Sequence, residues 1–268
     1  MSAAVPHVVE AGDGPAVLCL HSNASTSGQW RALTSLLADR FRVLAVDGYG
    51  AGKSPEWQGT RQVRLDDEVA LLATVIERAG DRFHLVGHSY GGAVAVKLAS
   101  ACPGRVRSLC LYEPTLFHLV AAGAPSASPA AGIWHAASDA AQAVGRGDSD
   151  DAAERFIDFW MGAGAWTATP AAKKPAIAAS MRNVAAWRDA LFGEDAAAES
   201  FARLDMPTVL LHGDRSPQSA LAVVEALTRL VPGIVVSSLA GLGHMGPVTH
   251  AAVVNARIES FLESQPGA

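Results

Sequence analysis

The fold is indicated most clearly by the stretch Phe83-His84-Leu85-Val86-Gly87-His88-Ser89-Tyr90-Gly91-Gly92-Ala93-Val94-Ala95-Val96. It begins with a short apolar run that is typical of a buried strand, and its Ala/Val-rich end predicts a helix. Between them, Gly87-x-Ser89-x-Gly91 is typical of a nucleophile elbow, a turn so tight that the serine backbone is strained. Small residues two positions before and after the serine avoid a collision there. The stretch therefore predicts a nucleophilic Ser89 at the N-terminus of a helix.

The composition is that of a globular protein with a sizeable core. The chain has 268 residues, of which 50% are hydrophobic and 18% are charged, and its formal net charge is -5. Because it has no long basic run, we expect no nucleic-acid partner. Neither a signal peptide nor a membrane-spanning run is recognisable, so we expect no membrane partner and a cytoplasmic location.

Three cysteines, Cys19, Cys102 and Cys110, lack the spacing of a disulfide framework, which predicts reduced thiols and agrees with the cytoplasmic location. Metal-binding and nucleotide-binding motifs such as C-x-x-C, H-E-x-x-H and the Walker loop are not found in the sequence. We therefore expect no metal and no nucleotide cofactor.

Strand-like and helix-like segments alternate along most of the chain. Besides the elbow strand, apolar runs of strand length occupy residues 16–21, 41–47, 106–112, 208–212 and 234–239. Helical patterns occupy residues 29–39, 65–79, 219–230 and 247–263. This alternation predicts a mostly parallel sheet with helices on both faces, which binds ligands beyond the carboxyl ends of its strands. The candidate functional residues all follow predicted strands: His21 to Asn23, residues 47–54, Ser89, Glu113, Asp214 and His244.

Residues 116–200 break the alternation. They contain no strand-like run, much alanine and four of the six tryptophans, which predicts a helical cap inserted between core segments 1–115 and 201–268. Most of its aromatic residues are expected to form a small core. A cap over a pocket also needs an apolar inner face, so we expect Trp134, Trp160 and Trp187 to bind substrate.

These motifs, in this order, resemble the α/β-hydrolase superfamily over nearly the whole chain, and most closely its capped serine hydrolases of the esterase type. The resemblance implies the α/β-hydrolase fold with an inserted helical cap and a Ser-acid-His triad in chain order. Ser89 is the expected nucleophile. His244, in Gly241-x-Gly243-His244, is the expected base, because imidazole titrates near neutrality and can accept and return the serine proton.

The acid of the triad departs from the family pattern. In most members it lies three residues after the glycine of a His-Gly pair, but that position here is Ser216. Two candidates remain. Glu113 follows the strand after the elbow, where haloalkane dehalogenases and some other relatives place their acid. Asp214 lies on the usual loop but two residues early. We favour Glu113, with the alternatives that Asp214 is the acid or that Glu113 only faces solvent.

The resemblance also implies an oxyanion hole made by the backbone N–H groups of Tyr90 and Asn23. The preceding loop has His21-Ser22 where the family usually has His-Gly. Asn23 matches the halide-binding asparagine of haloalkane dehalogenases, but those enzymes and the epoxide hydrolases use an aspartate nucleophile. Ser89 argues against both of these activities.

The sequence therefore predicts a serine hydrolase that cleaves a small or medium apolar carboxylic ester with water, without a cofactor. Acyltransferase activity, carbon–carbon bond hydrolysis and small-molecule reception remain alternatives on the same fold. The expected partner is a small-molecule substrate, and the sequence leaves the oligomeric state open.

Overall fold

The computed structural model describes residues 4–121, 123–194, 201 and 204–266. Within this part of the chain, a seven-stranded sheet has the order β1-β3-β2-β4-β5-β6-β7, and only β1 pairs antiparallel to its neighbour. The strands are β1 (Val8–Ala11), β2 (Ala16–Leu20), β3 (Arg42–Val46), β4 (Phe83–His88), β5 (Val106–Tyr112), β6 (Thr208–Gly213) and β7 (Val235–Leu239). The elbow strand β4 lies at the centre of the sheet.

Helices connect the strands and cover both faces of the sheet. In the core they are α1 (Arg31–Leu37), α2 (Leu65–Leu71), α3 (Ala73–Arg78) and α4 (Tyr90–Ala101) before β5. Between β5 and β6 follow α5 (Ala131–Gly145), α6 (Ser149–Met161), α7 (Ala165–Ala168), α8 (Lys174–Ser180) and α9 (Val184–Phe192). The chain continues with α10 (Gln218–Leu230), α11 (Gly246–Thr249) and α12 (Ala251–Glu263).

Alternate side chains of the strands point to opposite faces of the sheet and belong to two hydrophobic cores. In β2, Leu18 and Leu20 point into the larger core, which also contains α4 and the helices between β5 and β6. Val17 and Cys19 point to the opposite face, where α1 and α12 pack. Because β2 and β4 are buried on both faces, their sequences are nearly continuous apolar runs. The sequence therefore predicted these central strands well.

Three elements differ from the sequence prediction. Strand β1 was not predicted, because it is short and lies at the sheet edge with Val9 and Glu10 exposed. The predicted helix 65–79 divides at Leu72, whose N–H contacts the carbonyls of both Glu68 and Val69. The predicted helix 247–263 divides at His250, which leaves helical geometry with φ -132° and ψ 44°.

The segment predicted as a cap contains helices α5–α9 and short 3-10 turns, with no strand among its described residues. The predicted boundary at residues 200 and 201 adjoins positions outside the described residues, so the domain division stays a prediction. All three cysteines are free, as the sequence indicated. Among the described residues no helix is both long enough and apolar enough to span a membrane. A cytoplasmic location stays a prediction.

His84 gives the core a pH-dependent stability. Its side chain on β4 is fully buried, with Nδ1 at 2.8 Å from the hydroxyl of Ser108 on the neighbouring strand β5, and burial lowers the pKa of His84 to about 4. Between pH 6.5 and about 4 the unfolded chain therefore binds more protons than the folded chain. As the pH falls through this window, His84 should reduce the free energy of unfolding by at most about 3 kcal/mol.

Urea unfolding followed by tryptophan fluorescence at pH 7 and pH 4.5 tests this expectation. His84→Gln should lose less stability than the wild type over this interval, whereas His135→Gln, at an exposed position, should follow the wild type. An equal loss in the wild type and in His84→Gln would show that His84 does not titrate in this way.

Candidate active site

Ser89 lies at the tip of a tight turn between β4 and α4. Its backbone has φ 55° and ψ -119°, in the region that residues other than glycine rarely adopt. A side chain at Gly87 would place its Cβ 2.6 Å from the carbonyl oxygen of Gly91, and a side chain at Gly91 would meet the Leu20 carbonyl oxygen at 2.4 Å. The glycines predicted to be necessary are therefore required by close backbone contacts, and the turn holds the serine at the centre of the sheet.

The structure brings Ser89, His244 and Glu113 into one hydrogen-bonded chain. The His244 Nε2 atom lies 2.9 Å from the Ser89 hydroxyl oxygen, and His244 Nδ1 lies 2.7 Å from Glu113 Oε2. Glu113 and His244 are 0% and 1% exposed, so water does not compete for this hydrogen bond. With Glu113 ionised, Nδ1 carries the proton and Nε2 can accept the proton of the serine hydroxyl.

The Glu113 carboxylate has further donors on its other oxygen. The Gly213 N–H lies 2.7 Å and the Ser216 hydroxyl 2.5 Å from Glu113 Oε1. Ser216 stands at the usual position of the family's acid, so here this position supplies a hydrogen-bond donor to a carboxylate from the neighbouring strand. Glu113 itself has φ 43°, a second strained residue beside the site. The alternative that Glu113 faces solvent is wrong, because the residue is fully buried.

Asp214 does not reach the histidine. It is exposed, and its carboxylate accepts the Gly241 N–H at 2.7 Å. This contact links the loop after β6 to the loop after β7. The structure therefore places Asp214 as a loop-bracing residue and Glu113 as the carboxylate that contacts His244.

Two residues that the sequence did not single out hold the histidine loop. His88 Nε2 donates to the main-chain carbonyl of His244 at 2.9 Å, and the Tyr112 hydroxyl donates to the Gly243 carbonyl at 2.8 Å. Burial lowers the pKa of His88 well below its usual value, so its ring stays neutral. His88 is the last residue of β4, and Tyr112 is the last residue of β5. Functional side chains are expected at strand ends, but the partners of these two residues lie more than 130 residues away in the sequence.

Trp160, on α6, stacks on the ring of His244. The ring centroids are 3.8 Å apart and the planes are inclined by 22°. This contact excludes solvent from one face of the imidazole and fixes its plane.

Two cavities adjoin this site. The smaller, of about 20 Å³, is lined by Ser89 together with Asn23, Phe117, Phe156, Trp160 and Trp187, among others. The larger, of about 300 Å³, extends on the other side of Asn23 and Trp187, which line both cavities. Trp160 and Trp187 thus lie where substrate-binding residues were expected. Trp134 does not line either cavity: its ring packs edge-on against Phe192 and beneath Arg188, so the structure does not support its predicted role.

The predicted oxyanion residues lie beside Ser89. Tyr90 is the first residue of α4, so its N–H has no acceptor within the helix. Asn23 belongs to the loop after β2 and lines the same small cavity as Ser89. Ser22, where the family usually has glycine, directs its N–H and its hydroxyl to Gln29 Oε1, at 3.1 and 3.0 Å. This departure therefore ties the loop to the turn before α1.

The family model described as the alpha/beta hydrolase family matches residues 17–257. The chain belongs to the α/β-hydrolase family.

Individual relatives differ from this chain at most aligned positions. The pimeloyl-[acyl-carrier protein] methyl ester esterase of Nitrosomonas europaea is 35% identical over 109 residues, which cover 41% of this chain and 41% of the relative. A haloalkane dehalogenase of Agrobacterium fabrum is 34% identical over 113 residues, 41% of this chain and 36% of the relative. The matches thus span about two fifths of these curated relatives. A thermophilic esterase from Thermogutta terrifontis shares the fold, with a TM-score of 0.78 at 22% identity, covering 96% of this chain and 93% of that one.

The geometry predicts which carboxylate supports the reactivity of Ser89. Glu113→Gln should lower the rate at which a fluorophosphonate probe labels Ser89 by about 10³- to 10⁴-fold, because His244 loses the partner that fixes its tautomer. Asp214→Asn, the matched control, should label within about threefold of the wild type, since asparagine can still accept the Gly241 N–H. The reverse ranking, measured by intact mass against time, would show that Asp214 is the acid.

Proposed function

We propose that this protein is a serine hydrolase that cleaves a small or medium carboxylic ester through an acyl-enzyme on Ser89. His244 serves as the base and Glu113 as the acid that orients it. The observation that carries the proposal is the buried hydrogen-bonded chain from Ser89 through His244 to Glu113.

In the first half of the reaction, Ser89 Oγ attacks the ester carbonyl carbon while His244 Nε2 takes the hydroxyl proton. The N–H groups of Tyr90 and Asn23 stabilise the negative charge that develops on the carbonyl oxygen. The C–O bond to the alcohol then breaks, and the imidazolium returns its proton to the departing alkoxide. The products of this half are a free alcohol and an acyl-serine.

In the second half, His244 removes a proton from a water molecule, whose oxygen attacks the acyl carbon. The bond to Ser89 Oγ breaks, the serine recovers its proton from His244, and the carboxylic acid leaves. The Glu113 carboxylate stabilises the imidazolium twice in each cycle. The donors from Gly213 and Ser216 keep this carboxylate oriented.

The lining of the smaller cavity supports a short apolar acyl group. Apart from Asn23, Ser89, Thr115 and Arg188, the side chains that line it are aliphatic or aromatic, so they favour hydrocarbon over polar groups. At about 20 Å³, little more than the ~10–15 Å³ that one water molecule needs, this cavity favours a short acyl group beside Ser89. The alcohol portion of the ester is then left to the larger cavity.

Two observations favour this proposal over some of its alternatives. A serine at position 89 cannot form the alkyl-enzyme of aspartate-dependent dehalogenases or epoxide hydrolases. The receptor alternative drew on the missing acid at position 216, and the contact of Glu113 with His244 removes that argument. Acyl transfer and carbon–carbon bond hydrolysis use the same residues and differ in the acceptor or in the bond cleaved.

Stopped-flow hydrolysis of p-nitrophenyl butyrate tests the proposal. The wild type should show steady turnover, and Ser89→Ala should lower kcat by at least about 10⁴-fold, because no other group can form the acyl-enzyme. Ser264→Ala, at an exposed serine, is the matched control and should leave the rate unchanged.

Other outcomes of the same trace are equally informative. A burst of one p-nitrophenol per protein that then stalls would show acylation without hydrolysis, which indicates a transferase or a receptor. Turnover that survives in Ser89→Ala would refute the serine mechanism.

A further inference from the structure

Glu68, on α2, is a buried carboxylate that the proposed reaction does not use. Its side chain accepts the Tyr90 hydroxyl on Oε1 and the Tyr49 N–H on Oε2, both at 3.2 Å, and the residue is 5% exposed. Within the described part of the chain, no lysine, arginine or histidine forms a hydrogen bond or ion pair with it. A carboxylate buried with only two neutral donors is costly, and an additional donor or a cation would stabilise it.

Glu68 lines the larger cavity rather than filling a gap in the core. The cavity of about 300 Å³ is bounded by the loop after β3, by the loop after β2 and by residues of α8 and α9. Tyr90 and Gly91, at the start of α4, form another part of its wall. Asn23 and Trp187 line this cavity and also the one that contains Ser89, so the two cavities are adjacent at these residues.

The other charged and titratable groups around the cavity leave this carboxylate uncompensated. Arg182 also lines the cavity, and its guanidinium forms an ion pair with Glu56. Burial lowers the pKa of His21, so its ring is neutral, and burial raises the pKa values of Tyr49 and Tyr90, so they stay protonated. Asp67, next to Glu68 on α2, adds negative charge, and Arg61 pairs with it at the surface.

We propose that the larger cavity is a subsite for an ammonium group on the alcohol portion of the ester, with Glu68 as its counter-ion. The preferred substrate is then an amino-alcohol ester of a short apolar acid. This inference rests on the proposed function, because the ester carbonyl must lie at Ser89. Burial raises the pKa of Glu68 to about 7, and a bound cation would lower it. The preference for the ammonium group should therefore weaken as the pH falls below 7.

The test compares two isosteric butyrate esters that differ in charge. 2-(Dimethylamino)ethyl butyrate carries an ammonium group, and 3-methylbutyl butyrate has carbon in place of nitrogen. At pH 7.5 the wild type should show a kcat/KM at least about tenfold higher for the charged ester, the range expected for a hydrogen bond to a buried charged group. This ratio should fall towards one at pH 5.5, because protonated Glu68 no longer attracts a cation.

Variants test whether Glu68 causes the preference for the charged ester. In Glu68→Gln the ratio should collapse to within about threefold of one at pH 7.5, since glutamine keeps the size but not the charge. Asp66→Asn removes an exposed charge from the same helix outside this cavity and should keep the wild-type ratio. A ratio near one in the wild type, or a preference that Glu68→Gln retains, would overturn the subsite. The pH dependence in the wild type decides the question even when Glu68→Gln does not fold.

Binding separates failure of the subsite from failure of the proposed function. Calorimetry with the Ser89→Ala protein should give at least about tenfold tighter binding of the charged ester than of its isostere. If neither ester is hydrolysed by the wild type but this preference is measured, the subsite stands and the proposed reaction is wrong. If the isostere is hydrolysed at rates that Ser89→Ala abolishes and no preference is found in binding or kinetics, the proposed reaction stands and the subsite is wrong.

Discussion

The close approach of backbone atoms at the elbow is the constraint on which the site depends. Ser89 can keep its strained φ of 55° because β4 lies in the middle of the sheet and is buried on both faces, so the packed core holds the turn in place. The same turn starts α4 at Tyr90 and places its amide beside the hydroxyl. The strain at Ser89 is thus offset by the packing of the central strand β4.

The position of the acid follows from the strand order. In the sheet β5 lies between β4 and β6, so the residue after β5 can reach both the elbow and the loop after β6. Glu113 uses this position to contact His244, while Ser216 on the β6 loop donates to it. A carboxylate at the end of β5 or of β6 can therefore contact the same histidine, provided that the loop after the other strand donates hydrogen bonds to it. This exchange explains why the usual acid position can hold a serine without loss of a hydrogen-bonded partner for His244.

Features encoded by local sequence were predictable, and features that depend on distant partners were not. Glycines at fixed offsets from Ser89 and apolar runs in β2 and β4 defined the fold, because each is a short-range requirement of a turn or a buried strand. Glu113 and Asp214 could not be separated by spacing alone, since the choice depends on where two loops meet in space. For the same reason the contact of His88 with the His244 carbonyl was not predicted. The expected substrate contact of Trp134 is not supported by the structure, because the facing side of a cap helix is set by its packing partners.

The central claim is that Ser89 carries the acyl group during the reaction. Treatment of the wild type with p-nitrophenyl dimethylcarbamate tests it most directly, because a carbamoyl-serine is hydrolysed slowly enough to isolate. One p-nitrophenol should be released per protein, and mass spectrometry should find one dimethylcarbamoyl group on the peptide that contains Ser89. Stoichiometric release of p-nitrophenol with the carbamoyl group on another residue, and none on Ser89, would contradict it.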